Sequence, residues 1–216
     1  MGQGIWGEVT AAHQRGDYAA ALRLYRILAD GGDARAQVAL GVMHEIGQGV
    51  PKSYADAVKW YRKAAEQGDA GAQNNLGVMY EHGRGVPKNH VEAVKWYRKA
   101  AEQGDANAEH NLGNSYASGE GVAQDDAEAV AWFRKAAGSG HAMAQANLGV
   151  MYEHGRGVPR DPVRAHMWYN LSASRFPAAE ARNRGIAARN RDQIAAKMTA
   201  AQIAEARKLA HEWAPA

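Results

Sequence analysis

Apolar residues recur along this chain at helical spacing, in stretches of about 13–15 residues that glycines interrupt. In residues 69–104, Ala72, Leu76, Met79 and Tyr80 form one stripe. Gly77 sits beside it, where a missing side chain lets a neighbouring helix come close. Ala93, Val94, Trp96, Tyr97, Ala100 and Ala101 form a second stripe, with Lys95, Arg98 and Lys99 on the solvated side. Asp69 is placed to cap the first helix at Ala70, because its carboxylate accepts the orphan amide protons of a first turn. Gly83 supplies the left-handed residue that closes it. Pro87 has no amide proton and holds Val86 extended, so Arg84–Pro87 reads as a connector. Asn89 caps the second helix, Glu92 completes a capping box, and Gly104 ends it. The pattern predicts two antiparallel helices joined by a short loop.

The pattern repeats. Trp60, Trp96, Trp132 and Trp168 are 36 residues apart, and so are Leu40-Gly41, Leu76-Gly77, Leu112-Gly113 and Leu148-Gly149. A fixed period of this length signals a stacked repeat architecture. Four copies follow, at 33–68, 69–104, 105–140 and 141–176. Ser53 with Asp56, Asp125 with Glu128, and Asp161 before Pro162 open the other second helices. Copy three has Ala123 for proline and Glu120 for Arg84, so its loop is expected to be the most mobile. Copy four has His141 where Asp33, Asp69 and Asp105 stand, which predicts a weaker cap. Residues 5–32 read as a partial repeat, with Trp6 and Val9 on a degenerate first helix and Asp17–Ala29 as the second. Pro177–Lys197 reads as one long helix. Thr199 and Gln202 form a capping box before a last helix carrying Ile203, Ala206, Leu209, Ala210 and Trp213. The expected fold is all-α with about twelve helices and no strand, a single solenoid domain over 1–216.

Composition changes little. Hydrophobic residues make up 46% and charged residues 23%, which suits a folded chain. The net charge of +3 is too small to demand nucleic acid, and none is expected. No apolar run approaches a membrane span of about 18 residues. The absence of cysteine excludes disulfides and thiolate chemistry. Residues 1–10 show no basic start followed by an apolar run, so no leader is read there. The compartment stays open: cytoplasmic as the chain stands, periplasmic or secreted if a leader has been removed from before Met1–Gly4.

The run Ala-x-Ala-x-x-x-Leu-Gly-x-x-Tyr, Gly-x-Gly-Val-Pro, Ala-x-x-Trp-Tyr-Arg-Lys-Ala-Ala-x-x-Gly, standing at Ala70–Gly104, resembles the Sel-one-like repeat, a branch of the tetratricopeptide superfamily. Close copies stand at 33–68 and 141–176 and a looser one at 105–140. The resemblance implies a right-handed superhelical solenoid of antiparallel helix pairs, bacterial relatives, and a scaffold or adaptor role. Such a superhelix has a concave face lined by the first helix of each pair. Rotating away from the packed stripe gives the lining. Copy one contributes Arg35, Val38, Val42, Glu45 and Ile46; copy two Gly71, Asn74, Val78, Glu81 and His82. Copy three contributes Asn107, His110, Asn114, Ala117 and Ser118; copy four Met143, Ala146, Val150, Glu153 and His154. Asparagines offer donor and acceptor together, which suits the backbone of an extended peptide. The expected partner is a protein or peptide segment, bound by a monomer without cofactor.

Other chemistry is weaker. His82 and His154 lie two repeats apart, too far to share a zinc ion whose ligands stand about 2 Å away. His44-Glu45 is not followed by the second histidine of a zinc motif. Gly83–Lys88 lacks the spacing of a phosphate loop. Ser115 falls mid-helix and not on a strand-to-helix elbow. The Trp-Tyr pairs sit at packing positions and read as core. Arg175, Arg182, Arg184, Arg189 and Arg191 read as a solvated face. An interaction scaffold is therefore the leading reading, not an enzyme. The alternatives are a cell-wall or lactam-directed hydrolase, as suggested for some relatives, and a purely structural assembly subunit.

Overall fold

The computed structural model describes residues 2–213. Met1 and residues 214–216, the ends of the expected domain, lie outside them. Twelve α-helices and no strand are found among the described residues. Contacts divide the chain into two compact units, Met1–Gln103 and Gly104–Ala216. The first holds α1 (Gly2–Gln14), α2 (Tyr18–Asp30), α3 (Ala34–Ile46), α4 (Tyr54–Glu66), α5 (Ala70–His82) and α6 (His90–Ala101). The second holds α7 (Ala106–Ser118), α8 (Asp126–Gly138), α9 (Ala142–His154), α10 (Pro162–Arg175), α11 (Ala181–Ala195) and α12 (Ala200–Glu212). Within the first unit each helix packs on the next in sequence; within the second, α7 to α11 do so and α12 returns onto α10.

The helix ends follow from their caps. Asp33, Asp69 and Asp105 each accept an amide proton from the first turn of α3, α5 and α7. Those helices and α9 close on Gly47, Gly83, Gly119 and Gly155, all left-handed. His141 was expected to cap poorly, yet its Nδ1 accepts the Ala144 amide at 3.2 Å, so an unprotonated imidazole nitrogen replaces the carboxylate. Asn89 accepts the Glu92 amide, but the box is only half made: Lys95 holds the Glu92 carboxylate at 2.6 Å. Thr199 and Gln202 do make both bonds. The long helix expected over 177–197 is shorter, because Pro177 leads into a 3-10 turn, Ala178–Glu180, before α11 begins. The copy-three loop, expected to be the most mobile, follows the same path as its equivalents, with Gly119 and Gly121 at positive φ.

The Leu-Gly pairs set the spacing inside each helix pair. The leucines are fully buried. A Cβ built on Gly41, Gly77, Gly113 or Gly149 would fall 2.4–2.6 Å from a ring carbon of Tyr61, Tyr97, Phe133 or Tyr169. The second helix thus presses an aromatic ring onto bare backbone of the first.

The tryptophans are a correction. Trp168 is buried and meets Trp213 edge-to-face at 5.4 Å. Trp60, Trp96 and Trp132 are only half-buried. Trp60 and Trp96 rest one side on the apolar clusters of the first unit. Lys63, Lys99 and Lys135 place their ammonium groups 4.4, 4.3 and 3.9 Å from the three ring centroids. The ring faces attract the cations, each contact being worth about 0.5–1 kcal/mol at an exposed site. Lys99, expected to be solvated, therefore has a partner.

Candidate functional site

The expected lining residues occupy α3 and α5 in the first unit and α7 and α9 in the second. Arg35, Val42, Ile46, His82, Asn107, Asn114, Ser118, Met143 and His154 are exposed. Val38, Gly71, Val78, His110, Ala117, Ala146 and Val150 are half-buried. Asn74 is 9% exposed, too deep to line an open surface. Its helix is enclosed on more sides than one stripe implies: Ala72, Gln73, Asn74, Leu76, Gly77 and Met79 of α5 are all buried.

Glu45, Glu81 and Glu153 have structural employment. Each accepts the hydroxyl proton of the tyrosine sixteen residues on: Tyr61 at 2.7 Å, Tyr97, and Tyr169 at 2.7 Å. Burial, then the bond to the carboxylate, pushes all three phenols far above their ordinary range. Copy three carries neither partner: Ala117 stands for the glutamate and Phe133 for the tyrosine. Losing both avoids an unpaired buried hydroxyl. Glu81→Ala alone is expected to cost about 1–3 kcal/mol, because the Tyr97 hydroxyl loses its acceptor. Glu81→Ala with Tyr97→Phe is expected to cost less than the sum by about 1 kcal/mol or more. A urea-denaturation double-mutant cycle reads the coupling, and strict additivity would contradict it.

The second unit gathers polar groups. His110 and His141 stack with centroids 4.6 Å apart. His141 Nε2 lies 3.3 Å from Asn107 Oδ1; since Nδ1 accepts at the cap, Nε2 carries the proton and donates. Asn147 Nδ2 donates to Asn114 Oδ1 at 2.9 Å and lies 3.2 Å from His110 Nε2. Burial and the neighbouring His141 push His110 down to about 4, so it is neutral at pH 7. Between α9 and α11 a cavity of about 170 Å³ is lined by Met143, Asn147, Val150, Asn183, Ile186 and Asn190. Asn147, Asn183, Ile186 and Asn190 were not expected. Asn147 had a signal: Asn75, Asn111 and Asn147 hold one position of the repeat. The α11 residues lie outside the period and had none.

The Ser115 hydroxyl donates to the Asn111 carbonyl of its own helix at 3.1 Å. No group of three or more metal-ligating side chains comes together among the described residues. No helix among them is long and apolar enough to cross a membrane.

The Sel1 repeat family model matches residues 7–33, 34–69, 70–105, 106–141 and 142–175. The chain belongs to the Sel1 repeat family. The match includes residues 7–33, a stretch of 27 residues against 36 in each of the next three. Among solved structures, c5321, a protective antigen of uropathogenic Escherichia coli with the SLR fold, is 39% identical, with a TM-score of 0.82. The match covers 89% of this chain but only 40% of that protein, so the chain spans less than half of its length. A Sel1 repeat protein from Oxalobacter formigenes is 41% identical over 77% of this chain and 69% of its own, with a TM-score of 0.71. A third Sel1 repeat structure, from Klebsiella pneumoniae, is 22% identical, covers 90% of this chain and 93% of its own with a TM-score of 0.55, and shares the fold. No curated protein matches. The fold is the all-α Sel1 repeat solenoid, and Sel1 repeats generally serve as protein-interaction scaffolds.

Proposed function

We propose that this Sel1 repeat chain holds a segment of another protein, extended across the face that α7, α9 and α11 present in the second unit. The observation that carries the reading is a set of side-chain amides among exposed apolar groups. Asn107 and Asn114 are exposed and Asn147, Asn183 and Asn190 half-buried, while Met143 is 38% and Ile186 39% exposed. An extended strand offers amide and carbonyl groups along its edges and alternates its side chains. Each asparagine can donate to one such group and accept from another. Met143, Val150 and Ile186 supply apolar contact, with methionine adapting to irregular shapes. His110 and His141 order the amides: His141 fixes Asn107, and His110 sits beside Asn147 and Asn114.

In the first unit, Arg35, Val38, Val42, Val78 and His82 offer the same face of α3 and α5 as a further proposed contact area. Glu45, Glu81 and Glu153 have one carboxylate oxygen committed to tyrosine, so their part is secondary, and Ser118 and His154 flank the second-unit face.

The test places a photo-crosslinking phenylalanine analogue at Met143, with a control at Glu128 at the exposed start of α8. Position 143 is expected to capture one dominant polypeptide in the native cell, with negligible capture from 128. Asn114→Ala with Asn147→Ala should reduce that capture roughly tenfold, the equivalent of about 1.4 kcal/mol, with helicity unchanged. Equal capture from both positions, or capture insensitive to the two asparagines, would defeat the reading.

A further inference from the structure

Successive repeats are joined by an arginine–tyrosine clasp. Arg62 of α4 donates to the Tyr80 hydroxyl of α5 at 2.7 Å, and Arg134 of α8 donates to the Tyr152 hydroxyl of α9 at 2.7 Å. The guanidinium groups also lie 5.8 and 6.0 Å from the tyrosine ring centroids. One period earlier the arginine is present, as Arg26 of α2, but histidine stands in place of tyrosine, as His44 of α3. Arg26 has no ion pair or hydrogen bond there among the described residues. His44 is 8% exposed and its Nδ1 has no partner. Both line a cavity of about 570 Å³ in the first unit. That volume is in the range of small-molecule sites, about 300–1,000 Å³.

The walls define what fits. Trp60 and Val58 form an apolar side. Lys59, Arg62 and Lys63 join Arg26 around the opening, against the single carboxylate of Asp56. That carboxylate is already engaged by Lys59 and the Ser53 hydroxyl, both at 2.8 Å. Arg62 is committed to Tyr80, and Lys63 lies over Trp60. The groups left for a ligand are the Arg26 fork and the His44 nitrogen. Burial pushes the His44 pKa down; Asp56 opposes this, and Arg26 and Lys59 add to it, so the neutral ring is favoured and can carry its one proton on Nδ1 as a donor. A guanidinium grips a carboxylate with two parallel bonds.

We infer that this opened clasp is a binding site for a small organic anion with a flat apolar body, an aryl carboxylate, whose charged group meets Arg26 and His44 and whose apolar body meets the part of the cavity wall that Val58 and Trp60 form. None of the residues lining this cavity is among the proposed peptide contacts, so the site stands independently of that reading.

Calorimetric titration of the full chain with 2-naphthoate tests this, beside 2-naphthamide of the same shape without charge. Two variants accompany the native chain: Arg26→Gln, which removes the fork, and His44→Tyr, which restores the residue found at Tyr80, Tyr116 and Tyr152. The native chain should bind 2-naphthoate measurably and 2-naphthamide at least roughly tenfold more weakly. Each variant should lose at least roughly tenfold in 2-naphthoate affinity. His44→Tyr should do so while its melting temperature holds or rises, because the phenol supplies the missing partner for Arg26. Absence of 2-naphthoate binding at millimolar concentration, equal affinity for the amide, or undiminished binding by a folded His44→Tyr chain would each overturn the inference.

Discussion

Gly157→Ala is expected to destabilise the second unit by about 3 kcal/mol, the sum of a left-handed backbone penalty of about 1–2 and an overpacking cost of about 1–3. Gly157 has φ +65°, and a Cβ there would lie 2.1 Å from the Asp126 carbonyl oxygen and 2.7 Å from the Ala127 nitrogen. Those are backbone atoms at the start of α8 and cannot swing aside. The loop cannot lift away either. Arg156, the preceding residue, grips the Asp126 carboxylate with bonds of 2.6 and 3.1 Å and donates to the Ala117 carbonyl at 3.0 Å. The matching comparison is Gly155→Ala: φ is +69° there, but the nearest foreign atom is 3.3 Å away, so the conformational penalty dominates. At about 2–4 °C per kcal/mol for a chain of this size, Gly157→Ala should lower the melting temperature by roughly 6–12 °C. A fall no larger than that of Gly155→Ala would refute the packing argument.

Gly77→Ala should also destabilise, by about 2 kcal/mol, although glycine to alanine inside a helix ordinarily gains about 1 kcal/mol. The reversal comes from Tyr97. The new methyl would sit 2.5 Å from its Cε1 and 3.2 Å from the Ala93 carbonyl. Tyr97 is 1% exposed, and its hydroxyl is tied to Glu81, so the ring has nowhere to turn. Relief must come from separating α5 and α6, at an overpacking cost of about 1–3 kcal/mol or more that also consumes the helical gain. Gly185→Ala is the control. That residue lies inside α11, and its added Cβ would meet nothing within 4 Å, so the ordinary gain should appear. Urea unfolding of the two variants should give opposite signs; the same sign would show that propensity, not the Tyr97 contact, governs position 77.

Much of this architecture could be read from residue spacing because its causes are local. Asp69 and Gly83 bracket α5 as expected, since a cap needs only its own first turn and a left-handed glycine only its own φ. The Glu92 half of the capping box is not made, because Lys95 competes for its carboxylate. The tryptophan period marks the repeat but not the core: Trp60, Trp96 and Trp132 stay half-buried, each with the ammonium of Lys63, Lys99 or Lys135 over its ring. A single apolar stripe puts Asn74 on a surface, because it defines only one buried face. A helix with neighbours on several sides buries more of its circumference than that stripe shows. The α7–α9–α11 face was half legible. Asn107, Asn114 and Met143 followed from the repeat, whereas Asn183 and Asn190 belong to a helix that breaks the period and is brought there only by the tertiary fold.

The glutamine at the fourth position of α3 and α5 has one more consequence. Gln37 and Gln73 each donate to the end of the preceding helix, at Ala29 and Ala65, and accept from Gln67 and Gln103. In copy three the two places are held by Glu109 and Ser139, and one oxygen of the buried Glu109 is left without a partner. Burial raises the pKa of that carboxyl, so folding is coupled to proton uptake there. An array whose rungs differ in strength does not breathe evenly: amide exchange in α7 should run ahead of that in α3 and α5, and the lag between them would map where thermal opening begins.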